Sequence, residues 1–302
     1  MRKSLLSMAV LVFMLLEGCS GRSSAAAKTG GLRVLAIETF LGDIAQNVAG
    51  NRLKVETLLP VGVDPHGFQP APRDAIKIAQ SQVLIMNGLG YETWLTKTLE
   101  NTGGQRLVVV VSTGLSPNPA PSGGYPAGDP HLWMNPLNVV HYVENLRDGL
   151  TQADPGGREM YAANAQAYIA QLKALDQWVK TEVAAIPPGK RLLVTDHDAL
   201  GYFSQAYGFK VVGAVIPSVT DEASPSAQQL AALIDAIKSS GAPAIFLDIG
   251  GNRKLADQIA SESGAKVVTD LYVETISAPD GPAGTYIEMI KHDVNEIVNA
   301  LK

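Results

Sequence analysis

From residue 32 onward, short runs of aliphatic and β-branched residues alternate with longer stretches whose apolar positions recur at helical spacing. "RVLAIE" (33–38), "VETLLP" (55–60), "VLIMNG" (83–88) and "RLVVVV" (106–111) are short, apolar and bounded by turn residues, as buried strands are. Between them "FLGDIAQNVAG" (40–50), "PRDAIKIAQS" (72–81) and "YETWLTKTLEN" (91–101) predict helices. The second half repeats the alternation, with strands expected at 191–196, 210–215, 244–249 and 266–271 and helices at 200–208, 226–241, 252–264 and 285–302. The pattern is that of an α/β protein with parallel sheets flanked by helices.

Two features separate the halves. Residues 112–130, "STGLSPNPAPSGGYPAGDP", are rich in Pro, Gly and Ser and read as a long loop. Helical stretches follow at 135–155 and 157–187, the second without an internal Pro or Gly. A helix of about thirty residues spans roughly 45 Å, more than one lobe requires. The expected organisation is an N-terminal lobe over 32–155, a long connecting helix over 156–187 and a C-terminal lobe over 188–302. A continuous helix has no pair of flexible strands to bend about, which argues against a wide hinge closure.

The start of the chain is of another kind. Arg2 and Lys3 precede the apolar run "LLSMAVLVFMLL", which ends at "LEGC". A run of about a dozen residues is too short to cross a bilayer and reads as a secretory signal peptide over residues 1–19. "Leu16-Glu17-Gly18-Cys19" resembles the lipobox of bacterial lipoproteins, in which the cysteine becomes the lipidated first residue, although Glu17 stands where a small or apolar residue is usual. Residues 20–31, "SGRSSAAAKTGG", read as a flexible linker. Cys19 is the sole cysteine, so the folded part can hold neither a disulfide nor a thiolate metal ligand.

Composition narrows the classes. With 302 residues, 46% hydrophobic and 18% charged, the chain can bury a sizeable core, which excludes a disordered polypeptide. Its net charge of −5 and its scattered basic residues exclude nucleic acid as a partner.

Of the five histidines, His141 and His292 lie mid-helix and have no evident companion. His66, His131 and His197 differ, because each follows a strand or the loop after one, in "LLPVGVDPH", "GDPH" and "LLVTDH". Ligands of open α/β sheets gather at the carboxyl ends of the strands, so three histidines at that edge can converge across a cleft between lobes. Imidazole suits zinc and other first-row transition metals, and a tetrahedral site needs four donors. With no thiol available, the fourth donor is expected to be a carboxylate of the second lobe: Asp196, Asp198, Asp248, Asp270 or Glu274. Asp64, Asp129, Asp196 and Asp198 are placed to orient the imidazoles.

"DPHGFQP" (64–70), "GDPHLWMNP" (128–136), "TDHDALGYFSQAYG" (195–208) and "LYVETISAPDGPAGTYIEMIKHDVNEIV" (271–298) occur in that order across the chain. Together they resemble the metal-binding solute-binding lipoproteins of bacterial ABC importers for zinc and manganese. The resemblance implies two lobes joined by a long rigid helix, with one metal ion held in the cleft by His66, His131, His197 and Glu274, Asp270 being the runner-up for the fourth place. Manganese-type members are similar around the third ligand but carry a glutamate where this chain has His197. Three imidazoles and one carboxylate favour zinc, with manganese or iron as the alternative. It also implies an extracytoplasmic receptor, membrane-anchored or periplasmic and acting as a monomer, that delivers its ion to an ABC permease and that permease's ATPase. A zinc hydrolase fits less well: four protein ligands close the site against a catalytic water, and no H-E-x-x-H occurs. An added role as a metal-dependent adhesin is compatible with the same features.

Overall fold

The computed structural model describes residues 31–120, 125–218 and 224–302. The signal segment, Cys19 and the linker up to residue 30 lie outside the described residues. In the first lobe β1 (Val34–Ala36), β2 (Val55–Thr57), β3 (Val83–Met86) and β4 (Leu107–Val110) form an all-parallel sheet in the order β2-β1-β3-β4. Helices α1 (Thr39–Ala49), α2 (Pro72–Gln80) and α3 (Thr93–Thr102) follow its first three strands. The central position of β1 explains why all three of its residues are buried.

Helix α3 starts two residues later than periodicity predicts, for a local reason. Gly88, Leu89 and Gly90 adopt φ of 89°, 59° and 80°, a left-handed turn that draws Tyr91 and Glu92 out of the helix and into the interior. Leu89 carries a left-handed strain of roughly 1–2 kcal/mol. Offsetting it, the Glu92 carboxylate accepts the N–H groups of Asn87 (2.6 Å) and Gly88 (3.1 Å).

After the long loop, α4 (Pro136–Ala153) begins at a proline, its first turn capped by the Asn135 side chain. Helix α5 (Arg158–Val183) has 26 residues, about 39 Å at the usual rise, and stops ahead of Pro187 and Pro188. Tyr161, Ala165, Tyr168, Leu172, Leu175, Val179 and Val183 form its buried stripe at three- and four-residue spacing. The second lobe comprises β5 (Leu192–Thr195), α6 (Gly201–Tyr207), β6 (Lys210–Ala214), α7 (Ala227–Ser240), β7 (Ala244–Asp248), α8 (Arg253–Ser263), β8 (Lys266–Leu271) and α9 (Tyr286–Leu301). Its sheet is again all parallel, in the order β6-β5-β7-β8.

Helix α5 packs on α1 and α4 of the first lobe and on α6 and α9 of the second. Its ends are pinned by polar contacts. Tyr161 donates to Asp154 (2.6 Å), which also takes the Arg52 guanidinium, and Tyr207 of α6 donates to Asp176 (3.2 Å). One apolar core runs from Phe40 and Ile44 through Trp133, Tyr168 and Leu172 to Phe203, Phe246 and Val294. The lobes therefore share a core and do not merely touch.

Candidate metal centre

Each candidate ligand leaves the carboxyl end of a strand. His66 stands on the loop after β2, where the Asp64 side chain accepts the His66 backbone N–H (2.7 Å) and makes a tight turn of "VDPH". His131 ends the long loop after β4, and Asp129 Oδ1 accepts both its backbone N–H (3.0 Å) and its ring Nδ1–H (2.8 Å). His197 follows β5 by two residues and Glu274 follows β8 by three.

These four side chains come together. A ligand atom of each lies within 4.8 Å of those of the others, and all four residues are buried. The three Nε2 atoms converge on one carboxylate oxygen: Glu274 Oε1 is 2.7 Å from His66, 3.6 Å from His131 and 3.4 Å from His197. A ligating Nε2 lone pair requires the ring proton on Nδ1, and a partner there fixes the ring. For His131 that partner is Asp129, and for His66 it is the hydroxyl of Tyr125. The Tyr91 ring packs edge-on against His66 with centroids 4.6 Å apart.

Electrostatics favour an anion facing cations here. Burial alone would push the Glu274 carboxyl up, but the His66 and His197 charges and the His131 and His197 hydrogen bonds outweigh it and hold the group well below the usual range. Burial would likewise lower the His131 imidazole, yet its bonds to Asp129 and Glu274 leave it raised.

Both lobes brace the segment that carries Glu274. Asp293 of α9 accepts the Tyr272 N–H (2.8 Å), and Asp248 at the end of β7 accepts the Val273 N–H (3.0 Å). From the first lobe, Trp133 Nε1 donates to the Val273 carbonyl (2.7 Å). Burial, followed by the Glu274 charge, pushes the Asp248 carboxyl up to about 8. Asp248, a candidate ligand by sequence, stands as a support of Glu274 instead.

The runner-up Asp270 does not reach the cluster. It takes φ of 72° at the end of β8, its side chain is exposed and accepts from the Thr269 hydroxyl (3.0 Å), and its carbonyl accepts from His292 Nε2 (2.9 Å). Asp196 is buried against the Gly251 backbone, where an added Cβ would come within 2.2 Å of its carboxylate, and Asp198 is half-buried. His141 pairs with Glu144 on an exposed face, so it and His292 both stay outside the site. Sequence reasoning missed Tyr91, Tyr125, Asp293 and the reach of Trp133. The placement of "DPHLWMNP" beside a ligand was the one local hint, and it marked only Trp133.

A donor set of three imidazoles and one carboxylate can hold one divalent transition metal and leaves no protein-free position of the tetrahedron for a catalytic water. A narrow cleft of about 130 Å³, lined by Gly62, Val63, Asp64, Ile249, Glu274 and Thr275, leads to the carboxylate side of this set.

Comparison with known proteins agrees with this architecture. Residues 34–300 match the family described as zinc-uptake complex component A, periplasmic (ZnuA). The manganese-binding lipoprotein MntA of Halalkalibacterium halodurans is 34% identical over 303 residues, covering 100% of this chain and 99% of the relative. The iron-binding protein YfeA of Yersinia pestis is 36% identical over 266 residues, 88% of this chain and 85% of the relative. Among solved structures, the periplasmic zinc-binding protein TroA of Treponema pallidum superposes with a TM-score of 0.84 at 28% identity, covering 90% of this chain and 99% of that one. The chain thus belongs to the ZnuA family of extracytoplasmic metal-binding proteins, the substrate-binding, non-enzymatic components of ABC importers.

Proposed function

We propose that His66, His131, His197 and Glu274 together bind one divalent transition-metal ion, zinc in preference to manganese or iron, and that the ion is the cargo handed to an ABC permease. The observation that carries this reading is the convergence of three imidazole Nε2 atoms on one buried carboxylate oxygen. Nitrogen-rich donor sets suit zinc, whereas additional carboxylate suits manganese. The names of the relatives span manganese, iron and zinc, so the preference rests on the donor set alone. The protein works outside the cytoplasm, with Cys19 as its lipid anchor, and binds its ion as a monomer. Among the described residues no helix is long and apolar enough to cross a membrane.

Calorimetric titration of the metal-free protein with zinc and with manganese tests the assignment. One equivalent of zinc binds more tightly than manganese at pH 7.5, and His197→Ala or Glu274→Ala weakens it by more than about a hundredfold. Ligating imidazoles must be deprotonated, so zinc affinity falls steeply at pH 5. Equal affinity at the two pH values, or indifference to both substitutions, would remove the four residues from the role.

A further inference from the structure

A second buried polar cluster lies beside the ligands and spans the two lobes at the mouth of the cleft. Thr39 is the first residue of α1, and Thr275 directly follows Glu274; they are 6% and 4% exposed. Their hydroxyls are hydrogen-bonded at 2.9 Å across 236 positions of sequence. The neighbouring bonds fix the direction. The Thr275 hydroxyl donates to the Ile276 carbonyl (3.1 Å), so its oxygen accepts from Thr39 and from the Gly62 N–H (3.3 Å). The Thr39 oxygen in turn accepts the Ile276 N–H (3.0 Å). Two hydroxyls thereby tie together the start of α1, the loop that leads to His66 and the segment that carries Glu274.

The position of these bonds matters. The Trp133 contact to Val273 and the Tyr286 contact to the Trp133 carbonyl (2.6 Å) lie deep in the shared core, on fully buried rings. Gly62 and Thr275 instead line the solvent-connected cleft that ends on Glu274. Lifting the 274–276 segment at that rim moves Ile276 off the edge of the apolar core, detaches one ligand and opens the cleft on the remaining three.

We propose that Thr39 and Thr275 form a latch across the lobes that holds Glu274 over the bound ion and sets the rate of metal release. This rests on the ligand assignment made above. Both threonines are positioning residues: neither offers an atom to the ion, and the latch acts through Glu274. It bears on how long the ion stays and not on which ion is taken. Release at a permease then requires only that the partner compete for these hydroxyls and peptide groups, with no rotation of whole lobes.

The test is stopped-flow zinc release from the loaded protein into excess chelator, with association measured separately, for the wild type, Thr39→Val, Thr275→Val, the double variant and Thr275→Ser. Valine keeps the shape of threonine and removes the hydroxyl. Each valine variant is expected to release zinc about three- to tenfold faster, the worth of one or two hydrogen bonds. Association stays within about twofold of wild type. The double variant is no faster than the product of the singles, since both remove the same bond, and Thr275→Ser restores the slow release. Thermal melts establish that each variant is folded. Wild-type release rates in both valine variants overturn the latch while leaving the ligands in place. So does a loss shared equally by association and release, or a serine variant as fast as valine. A wild type that binds no zinc overturns the ligand assignment and the latch with it.

Discussion

Glu38 and Glu92 are both buried, 1% and 2% exposed, and burial raises both carboxyl groups above their ordinary range. Two buried carboxyl groups whose charges repel disfavour double ionisation. Glu92 accepts two backbone N–H groups, which favours its charge. Burial first, then the charge of Glu92, raises Glu38 well above its ordinary value. A folded chain that keeps a proton which the unfolded chain has released is most stable below the unfolded carboxyl pKa, about 4.3, and loses that contribution as pH rises toward the folded value. Glu38→Gln keeps a donor toward Glu92 and has no proton to lose. Its melting temperature between pH 5 and pH 8 is expected to decline less than that of the wild type, and to be higher at neutral pH. Parallel melting curves across that range would show that Glu38 takes up no proton on folding. None of this was legible in "AIETF" or "YETW", because a buried acid pair is created by two segments that sit 54 positions apart.

At the level of elements, the fold depends on segments that do two things at once. The turn Leu132–Met134 joins His131 to α4 and also carries Trp133, whose indole stacks on Phe40 (centroids 4.6 Å) while its N–H holds the peptide before Glu274. Trp133→Phe keeps most of the ring packing but leaves the buried Val273 carbonyl without that donor. Zinc affinity is expected to fall about tenfold, the lower end of what removing a support of a metal ligand costs. Unchanged affinity in a folded variant would show that Asp248 and Asp293 suffice to hold the segment. Most elements were readable from periodicity, because most strands, such as β3 and β7, are short and apolar and helices such as α1, α5 and α9 bury one apolar stripe. The start of α3 was not: the pattern of "YETWLTKTLEN" is helical throughout, and only the left-handed turn at 88–90 removes Tyr91 and Glu92 from it. Asp270 misleads in the same way, standing at a strand end as a ligand would, while its backbone turns the side chain to solvent.

For the molecule as a whole, the shared core and the pinned α5 limit what metal binding can move. A hinge closure would have to shear Tyr168, Leu172 and Trp133 past Phe203 and Phe246 within a close-packed interior. The radius of gyration from small-angle scattering is therefore expected to be the same, within error, for metal-free and zinc-loaded protein. A contraction of several ångströms on loading would refute this and place the motion in the lobes. The alternation of strands and helices, the long uninterrupted α5 pattern and the "DPH", "DPH" and "TDH" histidines can all be read along the chain, because periodicity and turn chemistry are local. The order of the two sheets, the exposure of Asp270, and the contacts of Tyr125, Asp293, Thr39 and Thr275 cannot. Each depends on which groups meet after the lobes pack on α5, and a hydrogen bond between positions 39 and 275 leaves no trace in either neighbourhood. Local patterns specify the elements and their edges, whereas burial and long-range pairing, set by the packing of one core, select which carboxylate and which hydroxyls come to lie beside the three histidines.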